Sequence, residues 1–249
     1  MKAMILAAGL GTRLRPLTND RPKALVEVAG KPLLEHAITK LTQQGTRDII
    51  INTHHFAEKI AEFLESKKNF GVHIELSHEP TLLDTGGGLN KAAHFFNDGE
   101  PFLLYNTDVL SNIDLGAMLA VHQRTGALAT LAVRDRKTSR YFLFDDDGRL
   151  VGWTSLLQKE QKIVVPQTET HNRLSFMGIH IISPRIFELF TESGTFSIVD
   201  VYLRLAGLGE RIQAFRADQY KWLDLGRREQ FERADDFLQE MNPPTSLRR

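Results

Sequence analysis

The chain contains no cysteine, which excludes disulfide bonds and thiolate metal sites and fits a reducing compartment. Lysine plus arginine and aspartate plus glutamate number 31 each, so no excess charge favours nucleic acid or an anionic membrane as a partner. No apolar run approaches the roughly 20 residues of a membrane helix, and the N-terminus has no secretory signal pattern. We therefore expect a cytoplasmic protein, and its 249 residues suffice for one large α/β domain.

The most informative segment lies near the N-terminus, where an apolar run over residues 4–7, predicted as a first β-strand, leads into a loop. The loop combines two glycines with three cations: Gly9, Gly11, Arg13, Arg15 and Lys23. Small residues let backbone N–H groups crowd around an anion, and the cations can reach the outer oxygens of a polyphosphate. This pattern predicts a binding site for a nucleoside triphosphate.

The spacing of the loop matches neither of the common glycine-rich nucleotide fingerprints. A Walker A loop needs glycine, four residues and then Gly-Lys-Ser/Thr, which does not occur here. A dinucleotide fingerprint needs a third glycine where this chain has Leu14, and Pro16 and Pro22 keep the segment irregular. The alternative interpretation is a basic surface loop after an edge strand. Glycines, cations and prolines within one short segment favour the nucleotide site.

Three motifs in this segment resemble the signature of the sugar-1-phosphate nucleotidyltransferases. They read LAAGLGTRL from Leu6, PLT from Pro16 and PKAL from Pro22, and the similarity continues through most of the chain. The segment LDTGGG from Leu83 and the compact length are most similar to members that transfer a uridylyl group to N-acetylmuramate 1-phosphate. Small members that transfer a guanylyl group to mannose 1-phosphate are similar too. The resemblance implies a nucleoside triphosphate and a sugar 1-phosphate as substrates, with Mg²⁺ as cofactor.

A second glycine-rich segment, residues 84–88, follows Glu79 and precedes a helix predicted to start near Leu89. Its glycines permit close approach to a flat base, and the helix N-terminus offers unpaired donors. A flexible loop is the alternative, and Glu79 is either a base or ribose contact or a solvated residue. The resemblance implies the following nucleotide contacts: Leu6, Ala7, Ala8, Gly9, Gly11, Thr12, Arg13, Glu79, Asp84, Thr85, Gly86 and Asn106.

Asp108 follows an apolar strand, at the position where open α/β sheets bind their ligands. A carboxylate there suits Mg²⁺, which prefers oxygen ligands and shares its shell with phosphates. The alternative is a turn or helix-cap aspartate. The family more commonly has glycine where this chain has Thr107, a departure that affects the loop geometry and leaves the carboxylate in place.

Asp224 is the predicted partner of Asp108. The segment WLDLG from Trp222 resembles a late family motif whose aspartate supplies a second metal ligand. Taken alone, an aspartate between a strand and a helix is also a common N-cap. The predicted Mg²⁺ ligands are therefore Asp108 and Asp224.

The sugar-phosphate side is predicted mainly from one strand. The segment FMGI from Phe176 resembles the family's sugar-contacting strand, where a glycine gives the hexose room. Family members often have a glutamate beside this strand, and Glu169 is the nearest acidic candidate. The predicted sugar-phosphate contacts are Lys23, Gly152, Glu169, Asn172 and Gly178.

Strand and helix patterns alternate through the first half of the chain. Strands are predicted near residues 4–7, 48–52, 72–76, 102–105 and 128–133, with helices over 32–44, 56–64 and 115–124. This order predicts an α/β fold with a Rossmann-like, mixed, mostly parallel sheet sandwiched by helices. We expect one domain over residues 1–241, with a nucleotide-binding part to about residue 135 and a β-rich sugar-phosphate part after it.

The second half of the chain has a different pattern. A β-hairpin is predicted from 141–144 and 150–153, and a polar, mobile loop over 155–172. Further predictions are a strand over 176–182, a helix from Pro184, a helix capped by Ser197, strands over 212–215 and 220–223, a closing helix over 227–241 and a frayed tail over 242–249.

The predicted roles of these residues fit one reaction, in which an anionic sugar 1-phosphate attacks the α-phosphorus of a nucleoside triphosphate. Arg13 is expected to stabilise the departing pyrophosphate, and Lys23 to neutralise charge on the reacting phosphates. Thymidylyl or uridylyl transfer to glucose 1-phosphate and cytidylyl transfer to phosphocholine are alternatives. Two alternatives are not enzymes: a nucleotide-binding regulatory protein without turnover, and a binding module whose basic loop captures a sugar phosphate or a protein anion. We expect a monomer or a small homo-oligomer.

Overall fold

The structure is a computed structural model that describes residues 1–166 and 171–241. Its strands are β1 (Ala3–Leu6), β2 (Glu27–Val28), β3 (Lys31–Pro32), β4 (Asp48–Thr53), β5 (His73–His78), β6 (Phe102–Asn106), β7 (Val109–Ser111), β8 (Ala129–Arg134), β9 (Arg140–Phe144), β10 (Leu150–Ser155), β11 (Glu160–Ile163), β12 (Asn172–Ile182), β13 (Ile212–Arg216) and β14 (Trp222–Asp224). Its α-helices are α1 (Leu33–Gln43), α2 (Ala57–Ser66), α3 (Asp84–Lys91), α4 (Leu115–Thr125), α5 (Ile198–Gly207), α6 (Arg228–Phe231) and α7 (Ala234–Met241).

The chain divides into two compact units, each assembled from separate stretches of sequence. The loop unit contains the N-terminal glycine-rich loop and comprises residues 3–82, 105–113 and 219–241. The hairpin unit contains the predicted β-hairpin and comprises residues 1–2, 83–104 and 114–218, apart from 167–170. Among the residues that the structure describes, no helix has the length and apolarity needed to cross a membrane.

Parallel strands form the core of the loop unit. β4 pairs in parallel with β1 on one side, Ala3 opposite Ile49, and with β5 on the other, Asp48 opposite His73. Successive strand residues point to opposite faces, and Ile49, Ile50 and Ile51 are all fully buried, so both faces of β4 are covered. The apolar run at 49–51 is explained by this double coverage.

A small antiparallel pair completes the loop unit and positions both predicted metal ligands. β14 pairs with β7 so that Asp224 lies opposite Val109, the neighbour of Asp108. Leu110, Leu223 and Leu225 are buried in one cluster, against which Phe231, Phe237 and Leu238 of the C-terminal segment pack. The predicted closing helix over 227–241 is instead two helices, α6 and α7. The Arg233 N–H donates to the carbonyl of Gln230, three residues back, where the helix is interrupted.

Antiparallel strands dominate the hairpin unit. β12 pairs with β8 and β9, β9 with β10, and β10 with β11, while β13 lies parallel to β8. The predicted hairpin is confirmed as β9 and β10. Asp145 closes its turn because its carboxylate accepts the N–H of Arg149 at 2.7 Å, and Gly148 has a φ of 73° that favours glycine.

Two elements of the hairpin unit differ from the sequence expectation. Part of the predicted mobile loop over 155–172 is strand β11, since residues 160–163 pair with β10 although their side chains are exposed. Helix α3 begins at Asp84, five residues before the predicted start near Leu89, because residues 86–88 are buried and helical despite being glycines. The predicted tail over 242–249 lies outside the described residues. The mixed, mostly parallel sheet with helices and a β-rich part is confirmed as the fold class.

Candidate active site

The glycine-rich loop leaves β1 and passes through two 3₁₀ turns, Thr12–Leu14 and Lys23–Leu25. Gly11 has a φ of 63°, and a Cβ there would lie 2.9 Å from the Thr18 side chain, so the fold itself requires this glycine. The Gly11 carbonyl also accepts the Thr18 hydroxyl at 2.9 Å. Gly9 is different: it has no left-handed φ, and a Cβ there would meet nothing within 4 Å. The open space beside Gly9 suits the approach of a ligand to the backbone.

A buried amide, Asn52 at the end of β4, connects this loop with Glu79. Its Oδ1 accepts the N–H of Ala7 at 2.7 Å, and its Nδ2 donates to Glu79 Oε1 at 2.8 Å. Asn52 is 3 % exposed and Glu79 is not exposed, so Glu79 is not the solvated residue of the alternative interpretation. Asn52 was not among the site residues predicted from the sequence. Its signal was a polar residue ending a buried strand of isoleucines.

Thr107 fixes the turn that carries Asp108. Its backbone N–H donates to the carbonyl of Leu6 at 3.3 Å, and its hydroxyl donates to the same oxygen. The threonine that replaces the more usual glycine therefore ties this turn to the end of β1, close to the glycine-rich loop. Asn106, a predicted nucleotide contact, is the last residue of β6 and is half-buried in the same turn.

Lys23 and Asp108 form an ion pair, Nζ to Oδ2, with side chains that are only 17 % and 20 % exposed. Lys23 starts the second 3₁₀ turn, while Asp108 lies between β6 and β7, so 85 residues of chain separate the partners. The structure thus brings together a predicted catalytic cation and a predicted metal ligand.

Tyr105 supports the same turn from inside. It is fully buried, and its hydroxyl donates to the carbonyl of Val109 at 3.0 Å. Burial raises the pKa of the Tyr105 hydroxyl well above its usual range, and the charge of Asp108 raises this pKa further. The phenol therefore remains a neutral donor that holds the backbone on either side of Asp108.

Asp224 and Arg13 approach each other at Gly226. Asp224 Oδ1 accepts the N–H of Gly226 at 2.6 Å. A Cβ at Gly226 would lie 2.8 Å from this oxygen and 3.7 Å from Nη2 of Arg13. Gly226, the last residue of the WLDLG segment, therefore leaves room for the Asp224 carboxylate and the Arg13 guanidinium.

The donor set of this region fits Mg²⁺. The backbone of Leu225 donates to the carbonyl of Asp108 at 2.8 Å, which holds the chain beside Asp224 against the turn of Asp108. Within the described ranges, no cluster of three or more histidine or acidic side chains is suited to hold a metal. Two carboxylates are nevertheless what Mg²⁺ commonly takes from a protein when phosphate oxygens and waters complete its octahedron.

In the hairpin unit, the second glycine-rich segment is packed against protein. A Cβ at Gly86 would lie 2.5 Å from the ring of Phe196, and one at Gly87 would lie 2.3 Å from the carbonyl of Gly194. The N–H groups of both glycines donate to the carbonyl of Phe196, at 2.9 and 3.2 Å. The expectation that these donors are unpaired is therefore wrong. Thr85 is also engaged, because its hydroxyl accepts the N–H of Ile198 at 3.1 Å.

The exposed member of this segment is Asp84. It precedes the buried glycines with a φ of 58°, and its Oδ1 accepts the N–H of Thr85 at 2.6 Å. The predicted nucleotide contacts of Asp84, Thr85 and Gly86 remain predictions.

The predicted sugar-phosphate residues of the hairpin unit lie on β10 and β12. Gly152 is packed against β11, where a Cβ would lie 2.4 Å from the carbonyl of Lys162. Gly178 is buried with a φ of 76°, at an irregularity in the pairing of β12 with β8. Asn172 is exposed, and its side chain donates to Asp146 at 3.4 Å. Glu169 lies outside the described residues.

Comparison with known proteins identifies the family. The model of the nucleotidyl transferase family matches residues 2–241. The chain belongs to this family. N-acetylmuramate alpha-1-phosphate uridylyltransferase of Neisseria meningitidis serogroup B is 34% identical to it over 229 residues, which are 91% of this chain and 93% of that protein. The family assignment confirms the resemblance that the N-terminal motifs indicated.

Other relatives extend the range of named substrates. The catalytic subunit beta of mannose-1-phosphate guanylyltransferase from Dictyostelium discoideum is 28% identical over 236 residues. The alignment covers 93% of this chain but only 62% of that protein, so the chain spans less than two thirds of its length. Among solved structures, HddC from Yersinia pseudotuberculosis complexed with GMP-PN superposes with a TM-score of 0.77 at 21% identity, covering 95% of this chain and 99% of that one. This likeness shows a shared fold.

Proposed function

We propose that the protein transfers a nucleotidyl group from a nucleoside triphosphate to a sugar 1-phosphate, releasing pyrophosphate, and that the transfer is uridylyl to N-acetylmuramate 1-phosphate. One observation carries the choice of substrates. The chain and the Neisseria meningitidis uridylyltransferase match over more than nine tenths of both lengths. The guanylyltransferase relative from Dictyostelium discoideum is less similar, at 28% identity over 236 residues.

In the proposed reaction, one oxygen of the sugar phosphate forms a bond to the α-phosphorus as the bond from that phosphorus to the β-phosphate oxygen breaks. The nucleophile is already an anion, so no side chain needs to deprotonate it. The site has to align the reactants and offset charge in the transition state. The backbone around Gly9 would bind the triphosphate, with space for close approach.

Two cations would serve the reacting phosphates. Arg13, exposed on the first 3₁₀ turn, would stabilise the pyrophosphate as it departs. Lys23 would neutralise charge that develops around the α-phosphate. Its ion pair with Asp108 supports this role because it holds the ammonium group beside a predicted metal ligand. Lys23 therefore needs no large movement to meet a phosphate bound there.

Asp108 and Asp224 would hold Mg²⁺ through their carboxylates. The ion, when bound, supplies charge neutralisation at the phosphates and a template for their orientation. The protein's own contribution is the fixed backbone, since the turn of Asp108 is held by Thr107 and Tyr105 and the segment of Asp224 by the Leu225 N–H. Such outer contacts orient metal-binding side chains.

Guanylyl transfer to mannose 1-phosphate is the second candidate. It is supported by the guanylyltransferase relatives, which align over 93% of this chain at 28 to 31% identity.

The test is release of pyrophosphate with and without Mg²⁺. Each of UTP, GTP, CTP and dTTP is paired with the 1-phosphates of N-acetylmuramate, mannose, glucose and N-acetylglucosamine, and with phosphocholine. We expect the strongest signal with UTP and N-acetylmuramate 1-phosphate and none after chelation of the metal. A dominant signal elsewhere in the grid would replace the proposed substrates. Triphosphate binding without release from any pair would contradict the transferase proposal.

A further inference from the structure

A cavity of about 420 Å³ lies within the hairpin unit, between the face of three antiparallel strands and the start of helix α5. Strand pairing places Trp153 opposite both Phe142 and Lys162, and Ser155 opposite both Arg140 and Glu160. Residues directly opposite in a sheet share a face. The cavity is lined from this face, from α5 and from neighbouring positions by Arg140, Tyr141, Phe142, Trp153, Gln158, Glu160, Lys162, Phe176, Ser197, Val199, Asp200 and Leu203.

The cationic side chains of this cavity differ in their pairing. Lys162 lies 3.6 Å from Glu160 and 3.8 Å from Asp200, so two carboxylates engage its ammonium group and more than offset its single charge. Its ammonium group also lies 5.8 Å from the centre of the Trp153 ring. Arg140 is exposed and forms no side-chain hydrogen bond or ion pair with any part of the chain that the structure describes. Arg140 is therefore the cation of this cavity that is available to an anionic ligand.

Aromatic residues supply a large part of the remaining lining, together with Gln158, Ser197, Val199 and Leu203. Phe142 and Phe176 meet edge to face with centroids 5.8 Å apart, and this contact fixes the floor of the cavity. Trp153 is half-buried and lies on the same face of the sheet as Arg140, since it pairs with Phe142, two residues further along β9. An aromatic surface with one unpaired guanidinium fits a ring-shaped ligand that carries an anionic substituent.

We infer that Arg140 selects a sugar phosphate acceptor that carries a carboxylate in addition to its phosphate. This inference rests on the proposed function. N-acetylmuramate bears a lactyl carboxylate that N-acetylglucosamine lacks, and the two sugars are otherwise alike. Guanidinium binds carboxylate with paired, charge-assisted hydrogen bonds, so Arg140 distinguishes the two acceptors. Trp153 contacts the ring that both sugars share and does not discriminate between them.

The experiment measures acceptor binding by calorimetry and does not require turnover. N-acetylmuramate 1-phosphate and N-acetylglucosamine 1-phosphate are each titrated into the full-length protein with Mg²⁺, in the presence and in the absence of α,β-methylene UTP. The variants are Arg140→Ala, Arg140→Lys and, as a matched control, Arg149→Ala. Arg149 is an exposed arginine of the same hairpin that does not line the cavity.

We expect the wild-type protein to prefer the carboxylated sugar, and Arg140→Ala to reduce this preference by about 10- to 100-fold, as for loss of a charge-assisted hydrogen bond. Arg140→Lys should retain part of the preference, because the charge remains and the two-pronged geometry is lost. Arg149→Ala should retain all of it.

Two results would overturn the inference. Equal weakening of both sugars by Arg140→Ala would show that the guanidinium binds the phosphate they share, and an unchanged preference would show that it binds neither. The proposed function fails separately. If the preference is present and depends on Arg140 while no triphosphate is turned over with the carboxylated sugar, the acceptor inference stands and the transferase proposal falls.

Discussion

Replacing Asn52 with alanine should destabilise the protein strongly, because Asn52 is the buried link between Ala7 and Glu79. The substitution removes the acceptor of the Ala7 N–H, bonded at 2.7 Å, and the donor to Glu79 Oε1, bonded at 2.8 Å. Both groups remain away from water, since Ala7 is 7% exposed and Glu79 is not exposed. An orphaned buried polar group costs about 1–3 kcal/mol, and more when charged, so we expect a loss of about 3–5 kcal/mol.

The measurement is thermal unfolding followed by circular dichroism. In a chain of this size each kcal/mol shifts Tm by about 2–4 °C, so Asn52→Ala should lower Tm by about 6–20 °C. Asn90→Ala is the matched control, because Asn90 is exposed on α3 and its loss should cost less than about 0.5 kcal/mol. A loss below about 1 kcal/mol for Asn52→Ala would refute the view that this amide holds the start of the loop.

Three further predictions follow from the site and its surroundings. Arg13→Ala and Lys23→Ala should each lower pyrophosphate release about 100-fold or more with little change in Tm, and near-normal release in either would exclude that role. Gly86→Ala should lower the free energy of unfolding by about 1–3 kcal/mol, because its Cβ would lie 2.5 Å from the Phe196 ring. Gly9→Ala should leave Tm unchanged and weaken triphosphate binding, because its Cβ would meet nothing within 4 Å. A stable Gly86→Ala protein, or a Gly9→Ala protein with lowered Tm and unchanged triphosphate binding, would contradict the packing argument. The Arg204 guanidinium lowers the pKa of Glu192 from 4.5 to about 2, so this pair stabilises the fold above pH 4.5 and loses its effect as pH falls toward 2. The Tm difference between wild type and Glu192→Gln should therefore shrink as pH falls from 4.5 toward 2. A Tm difference that stays constant over this interval would contradict a stabilising role of the ion pair.

The strands and helices of the first half were predictable because their apolar patterns are local. The run at 49–51 and the stripe of α1 each identify one element without reference to the rest of the chain. The start of α3 was not predictable in this way. Glycines disfavour a helix, and the helix at 84–91 depends on Phe196, which lies more than 100 residues later and accepts two of its N–H groups. Long-range contacts of this kind leave no periodic signal.

The same division applies to the candidate site. Its cations and carboxylates were found because charged residues beside glycines and strand ends are conspicuous in sequence. Asn52 and Thr107 were not identified as functional, since their roles consist of hydrogen bonds to backbone groups of the loop and of Leu6. Arg140 was missed for another reason. An exposed arginine at the start of a strand is ordinary, and only the pairing of its neighbour Lys162 with two carboxylates distinguishes it.

Glycines illustrate why a motif alone does not reveal the reason for its residues. The sequence assigned Gly9, Gly11 and Gly86 one common purpose, which was close approach of a ligand to the backbone. Gly11 is required by its φ of 63°, and Gly86 by the ring of Phe196, so both would be needed without any ligand. Gly9 has neither constraint. Gly9 lies in the same loop as Lys23, which the fold pairs with Asp108. A glycine that the fold does not require, in such a loop, is best explained by a ligand that approaches the backbone there.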